Sequence, residues 1–87
     1  MGVRVIRRPQ YTTDPFEAHI EGDGVVIVFT LKGRRLTEIA RMYEQGADRM
    51  APANYRRATR IACGILWDER RKREARKNLP SLPSCSS

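Results

Sequence analysis

The chain has 87 residues, of which 40% are hydrophobic and 31% charged, and it carries a formal net charge of +7. A chain of this length forms one small domain that buries roughly 60–65% of its unfolded surface. Its longest apolar run, residues 25–29, is far shorter than the roughly 18 residues of a membrane span, and the first residues lack the apolar segment of a secretory signal. We therefore expect a cytoplasmic protein without a membrane partner.

Short apolar stretches in the first third of the chain predict three strands. Residues 3–6, Val-Arg-Val-Ile, alternate apolar and polar side chains before Pro9 breaks the pattern. The Asp23-Gly24 pair lies between two apolar runs and predicts a two-residue type I′ hairpin turn, because both central residues of that turn adopt positive φ. The turn sets four pairs of residues opposite each other: Ala18 and Phe29, His19 and Val28, Ile20 and Ile27, and Glu21 and Val26.

The strand that follows this turn, residues 24–31, is apolar on both faces, whereas its hairpin partner is apolar on one. A strand of that kind is usually central in its sheet and covered on both sides. We expect helices to cover one face, and a second copy of the chain or a different partner to cover the other. A homodimer is therefore one predicted assembly.

Two helices are predicted after the sheet. Apolar residues recur at helical spacing over residues 36–50 and predict the first: Leu36, Ile39, Ala40, Tyr43, Ala47 and Met50. Pro52 fits the first turn of the second helix, with Asn54 as an alternative N-cap, and this helix runs to about Asn78.

The predicted fold is thus α+β: a small three-stranded antiparallel sheet, made of one strand and a β-hairpin, followed by two helices, the second long and basic. Residues 1–78 form the single domain, and residues 79–87 form a disordered tail rich in proline and serine. The order of elements over about residues 3–50 resembles that of the arm-binding domains of phage integrases. The resemblance is one of element order without a shared motif, and it implies a sheet that contacts a DNA groove. A helix-turn-helix across residues 51–54 is the other DNA-binding arrangement that the predicted elements allow.

Positive charge is concentrated in the last third of the chain. Residues 53–87 hold nine basic and three acidic residues, a net charge of +6. Such asymmetry favours an anionic partner, either DNA or RNA, held through its backbone with weak sequence specificity. A merely solvated basic helix has the same composition. The residues predicted to contact nucleic acid are Arg56, Arg60, Arg70, Arg71, Lys72, Arg73, Arg76 and Lys77, and a nearby sheet end could add Arg7, Arg8, Lys32, Arg34 and Arg35.

The single tryptophan, Trp67, lies on the helix face opposite the apolar stripe, among arginines and beside Gly64. In one interpretation it packs on the first helix or the N-terminal strand, and Gly64 permits a close approach between helices. In the other it is exposed and anchors a partner. The alternative function is then a small regulator or inhibitor, of the kind made by phages and mobile elements, that binds a host protein through Trp67, Gly64, Arg34 and Arg35.

The sequence contains few groups that could perform chemistry. Cys63, Cys85 and the single histidine, His19, do not have the number or spacing of a disulfide framework or a zinc site. Glu17 and Glu21 flank His19 at a spacing of two, so all three share one strand face and could act in acid–base catalysis, although an ordinary solvent face has the same pattern. We expect a binding protein that is not an enzyme and uses no cofactor or metal.

Overall fold

The computed structural model describes residues 2–77, with side chains up to residue 76. It contains four strands and one helix: β1 (Arg4–Arg7), β2 (Ala18–Gly22), β3 (Val25–Lys32), β4 (Arg35–Tyr43) and α1 (Pro52–Lys77). The strands form one antiparallel sheet in the order β1-β2-β3-β4, and the helix packs against it. The predicted α+β class is confirmed, while the predicted tail, 79–87, lies outside the described residues.

The first hairpin is the predicted one. Asp23 and Gly24 adopt φ values of 55° and 76°, as the two central residues of a type I′ turn require. All four predicted residue pairs, from Ala18 opposite Phe29 to Glu21 opposite Val26, are confirmed. This register places Ile20 and Ile27 together on the face that the helix covers, where both are fully buried.

The predicted first helix over residues 36–50 is wrong, because residues 35–43 form the fourth strand. Gly33 takes a φ of 64° and reverses the chain after β3, so this segment pairs along the whole of β3 instead of leaving it as a sheet edge. A bulge between Glu38 and Ala40 inserts one extra residue. Because of this extra residue, the apolar side chains of β4 do not recur at every second position, and their spacing is closer to that of a helix. With one helix in residues 2–77, the described chain has no helix-turn-helix.

The core lies between the sheet and α1. Phe29, Ile20, Ile27 and Leu66 are its largest fully buried side chains, and each stabilises the fold by about 1.5–3 kcal/mol through burial. Two alanines of the helix stripe are also completely buried, which allows the helix to lie close to β2 and β3. The buried members of the predicted helix stripe are Ala58, Ala62, Ile65 and Leu66, with Tyr55 and Ile61 packed against them.

No second helix or sheet covers the opposite face of the sheet within residues 2–77. Val26 and Val28 point to this face, since they alternate with the core residues of β3, and Val28 is 4% exposed although it lies outside the main core cluster. The prediction that β3 is a central strand is confirmed, and one of its faces is covered by the helix. A cover for the second face stays a prediction.

The start of α1 is fixed by the first hairpin turn. The Asp23 carboxylate accepts hydrogen bonds from the Ala51 backbone N–H at 2.8 Å and from the Asn54 side-chain amide at 2.9 Å. These bonds hold the pKa of Asp23 below its ordinary value. Pro52 is the first residue of the helix, as predicted. Asn54, the alternative N-cap, instead donates its side-chain amide to Asp23. Within residues 2–77, no helix combines the length and the apolar character that a membrane crossing requires.

Candidate nucleic-acid interface

The C-terminal half of α1 passes over the turn between β3 and β4. The Arg70 guanidinium donates hydrogen bonds to the backbone carbonyls of Gly33 and, at 3.5 Å, of Leu31. This contact joins the most basic part of the helix to the turn that carries Arg34 and Arg35. Two groups of basic residues that are far apart in the sequence therefore meet at one end of the sheet.

The end of β1 brings a third group to the same place. Arg7 lies opposite His19 at the start of β2, and His19 lies opposite Val28, so β1 leaves the sheet toward the β3–β4 turn. The following loop is fastened to the helix by Arg73, which donates to the carbonyl oxygens of Asp14 at 2.8 Å and Tyr11 at 3.3 Å.

We call this part of the molecule the basic end. It consists of the sheet-end residues Arg7, Arg8, Lys32, Arg34 and Arg35 and the helix residues Arg70, Arg71, Lys72, Arg73 and Arg76.

Two arginines of the basic end are bound within the fold. Arg70 lies 5.0 Å from the Trp67 ring centroid and 5.6 Å from that of Phe16. Arg73 lies 5.3 Å from the Phe16 ring and pairs with the buried Glu69 carboxylate at 2.8 Å. Their hydrogen-bond donors are used by carbonyls and a carboxylate of the protein, so they position the neighbouring segments.

Other basic residues of this end are open to solvent. Arg71 and Lys72 form ion pairs with Asp68, at 3.4 and 3.2 Å, and hold its pKa below the ordinary value, with Lys72 the larger cause. Exposed pairs of this kind contribute at most about 1 kcal/mol, so a phosphate can compete for the cations. Arg76 and Lys72 border a depression of about 450 Å³ whose other lining residues are Pro9, Gln10, Thr12 and Glu69.

The remaining predicted contact residues lie apart from this cluster. Arg56 and Arg60 are exposed on the N-terminal half of α1, with Arg60 about 16 Å from Arg71 along the helix axis. Lys77 is the last helical residue, and its side chain lies outside the described ones.

Trp67 is partly buried and packs against the core, with the Arg70 guanidinium across its ring. Of the two packing partners expected for a buried Trp67, the first helix is wrong, because β4 occupies that segment. Packing on the N-terminal strand stays a prediction. Gly64 is exposed, and apart from its chain neighbours and the helix backbone, no described atom lies within 4 Å of the place a Cβ would take. The predicted close approach at Gly64 is therefore not made within the described chain.

The histidine and its two flanking carboxylates do not assemble into one acid–histidine–acid site. Glu17 lies 3.1 Å from His19, whereas Glu21 pairs with Arg4 at 2.9 Å and accepts a hydrogen bond from the Gly24 N–H. Among the described side chains, no group of three His, Cys, Asp or Glu residues is placed to hold a metal ion.

The sequence analysis did not predict the residues that support the basic end from within the fold. The guanidinium groups of Arg70 and Arg73 lie 5.6 and 5.3 Å from the Phe16 ring centroid. Asp14 orders the preceding loop by accepting hydrogen bonds from the backbone N–H groups of Gln10 and Tyr11. Those bonds lower the pKa of Asp14. An aromatic residue directly after the Asp14-Pro15 turn signal was the one available hint of this packing.

Comparison with known proteins finds no family model, no curated protein and no solved structure that matches the chain, so the function must be argued from the chemistry of its surface.

Proposed function

We propose that the protein is a non-enzymatic module that binds the backbone of DNA or RNA through the basic end. The observation that carries this proposal is the hydrogen bonding of Arg70 to the β3–β4 turn. It unites basic residues from the sheet and from the helix on one surface, and nucleic acid is the common ligand for such a surface.

The proposal divides the arginines into two groups. Arg70 and Arg73 are held by the protein and fix the surface, whereas Arg34, Arg35 and Arg76 are exposed and contact phosphates. Because the surface is formed before binding, less conformational entropy is lost when the ligand arrives. Phosphate contacts carry affinity without base recognition, so the expected sequence specificity is weak.

The test is a titration with single- and double-stranded oligonucleotides at several salt concentrations. Trp67 is the only tryptophan and lies against Arg70, so its emission reports on the basic end. Arg34, Arg35 and Arg76, together with Arg71 and Lys72 once a phosphate displaces Asp68, give about five phosphate contacts. The logarithm of the affinity should then fall with the logarithm of salt concentration with a slope of about −3.5 to −4.5. RNA, single-stranded DNA and duplex DNA are titrated separately, and the ligand that binds most tightly identifies the preferred class of nucleic acid.

A matched pair of charge reversals locates the surface. Arg34→Glu with Arg35→Glu changes the basic end, and Arg49→Glu with Arg57→Glu makes the same change in net charge near the start of α1. The first pair should weaken binding by about tenfold more than the second. Equal losses would refute the assigned location. Affinity for every oligonucleotide below ordinary non-specific binding at low salt would refute the function.

A second candidate is binding of a host protein through the outward face of α1, and Gly64 favours it. Glycine inside a helix costs about 1 kcal/mol relative to alanine, and no neighbouring segment of the described chain uses the space at Gly64. Arg60 lies one turn before Gly64, and Trp67, which is partly buried against the core, lies one turn after it, so an acidic partner could approach the helix backbone there. Arg70 also links Trp67 to the turn that bears Arg34.

Gly64→Ala separates the two candidates. The substitution should raise the free energy of unfolding by about 0.5–1 kcal/mol, measured by urea denaturation, because it removes helix-interior glycine. Oligonucleotide affinity should stay unchanged under the first proposal. A stoichiometric protein partner that is recovered by the natural chain and lost with Gly64→Ala would support the second candidate and count against the first.

A further inference from the structure

The β4 strand is the long free edge of the sheet. It has nine residues and, within residues 2–77, pairs with β3 alone, whereas the other edge strand, β1, has four residues and an irregular register. Three large hydrophobic residues of β4 are exposed: Ile39 by 43%, Met42 by 51% and Tyr43 by 52%. A long edge strand with exposed apolar residues is a template for pairing with another strand.

The register of the hairpin determines which backbone groups of β4 are free. Lys32 and Arg35 flank a two-residue turn and form a hydrogen-bonded pair, and such pairs alternate along antiparallel strands. At the far end of β4, the Glu44 N–H donates to the Gly24 carbonyl at 2.8 Å, which fixes the alternation beyond the bulge. The residues whose N–H and C=O groups point away from β3 are therefore Leu36, Glu38, Arg41 and Tyr43.

In one antiparallel register, these four residues pair with the same set of four residues in the β4 strand of a second copy. It places Glu38 opposite Arg41 and Leu36 opposite Tyr43, each pair occurring twice about a two-fold axis. Facing residues in antiparallel strands must share a sheet face. Glu38 and Arg41 do so because the bulge adds one residue between them, opposite Phe29 and Ile27 respectively. The extra residue of each copy, Ile39, then faces Ala40 of the other copy.

We propose that the protein forms a two-fold symmetric dimer in which two β4 strands pair in this register. Glu38 and Arg41 already form an ion pair at 2.7 Å within one chain. The dimer joins two such pairs into a ring of alternating charge, while Leu36 meets Tyr43. The nearby register that centres on Glu38 would set the two glutamates opposite each other, and like charges in that position are destabilising. The occupant of this edge is thus a second copy.

The dimer has a defined shape. Both helices lie on the same side of one eight-stranded sheet, because facing residues share a face. The two basic ends point in opposite directions along the paired strands, with the Arg35 residues nine positions and roughly 30 Å apart. That distance is close to one turn of duplex DNA, about 34–36 Å. This last point rests on the proposed function, whereas the dimer itself does not.

Charge exchange tests the dimer. Glu38→Arg alone or Arg41→Glu alone places like charges together, and each should raise the dimer Kd by about tenfold or more in analytical ultracentrifugation. An equimolar mixture of the two single variants should form a heterodimer, because every facing pair is again Arg with Glu. Loss of the ion pair within a chain cannot produce that rescue. A natural chain that stays monomeric at its highest soluble concentration, or a mixture that stays monomeric, would overturn the proposal.

A disulfide tests the register. Thr37 and Met42 would face each other as a non-hydrogen-bonded pair with Cα atoms about 4.5 Å apart, within disulfide range. In a background of Cys63→Ser and Cys85→Ser, the Thr37→Cys, Met42→Cys variant should oxidise to a covalent dimer. Neither single variant, Thr37→Cys or Met42→Cys, should do so, because its two cysteines would lie five positions and roughly 17 Å apart. Cross-linking of a single variant, or none of the double variant, would refute the register. These positions lie outside the basic end, so a monomer that still binds oligonucleotides would refute the dimer and leave the proposed function intact.

Discussion

The two turns at the ends of β3 each hold one end of the helix. At one end an acidic side chain of the turn makes the contact, and at the other end a basic side chain of the helix does. The Asp23-Gly24 turn presents a carboxylate to the first helical turn, where the free N–H groups and the positive end of the helix dipole lie. The Gly33-Arg34 turn presents a backbone carbonyl to the Arg70 guanidinium. Sheet and helix are therefore joined by an anion from the sheet at one end and by a cation from the helix at the other.

The comparison shows that some charged side chains are used within the fold, whereas others remain available at the surface. The hydrogen bonds that Asp23 accepts come from groups of the chain itself, so its charge serves the fold. At the basic end, Arg70 and Arg73 serve the fold in the same way, and Arg34, Arg35 and Arg76 remain exposed beyond them. A count of arginines overestimates the binding surface, because some of them are structural.

The largest expected effect separates the two kinds of arginine. Arg73→Ala should lower the free energy of unfolding by about 2 kcal/mol, because it leaves the buried Glu69 and the Asp14 carbonyl without their donor. Arg76→Ala is the matched control and should change stability by less than about 0.5 kcal/mol. Urea denaturation measures both, and similar values for the two variants would contradict the division.

Alanine at the two turn glycines compares the turns directly. Gly33→Ala should cost about 1 kcal/mol, because alanine is strained at a φ of 64° and meets no described atom within 4 Å. Gly24→Ala adds a contact to this strain, since its Cβ would lie 3.0 Å from that of Ala47, and it should cost more. Thermal or urea unfolding gives the ranking. A larger loss for Gly33→Ala would mean that the basic turn is the more tightly packed.

The smallest effect concerns the acidic turn and depends on pH. Hydrogen bonds from Ala51 and Asn54 lower the pKa of Asp23 below 3.8, so its carboxylate stabilises the fold above about that pH. This contribution is lost as the pH falls through the folded-state pKa, because the proton then removes the anion. Asp23→Asn should reduce stability at neutral pH and make little difference in strong acid. Asp48→Asn makes the same charge change in the exposed loop before the helix and should leave stability at neutral pH almost unchanged.

Local features of the fold were predictable, and distant ones were not. The Asp23-Gly24 turn and its register follow from two adjacent residues and the strands beside them, and the core stripe of α1 follows from its period. Residues 35–43 misled because the bulge at Ile39 gives a strand an apolar spacing that also suits a helix. The Gly33 turn determines that this segment is a strand. Gly33 lies among basic residues, and the sequence there lacks the Asp-Gly pair that is typical of a hairpin turn.

For the candidate site, the composition predicted where positive charge accumulates but not how it is used. Apart from Glu69, which pairs with Arg73 at i,i+4 spacing, the acceptors of Arg70 and Arg73 are backbone carbonyls, among them those of Gly33 and Asp14, 37 and 59 residues away in the sequence. A carbonyl is present at every residue and leaves no sequence pattern. The structural role of these arginines therefore follows only from three-dimensional contacts.

The simple strand order has a consequence for how the protein folds. Each strand pairs with its neighbour in the sequence, so the sheet can form through short loops, which favours rapid folding. The bonds that anchor the helix on the turns close separations of 28 and 37 residues and need both turns in place. We expect helix docking to be the late step. Leu66→Ala should then accelerate unfolding and leave the folding rate almost unchanged in stopped-flow experiments, and a slowed folding rate would place the helix in the folding nucleus.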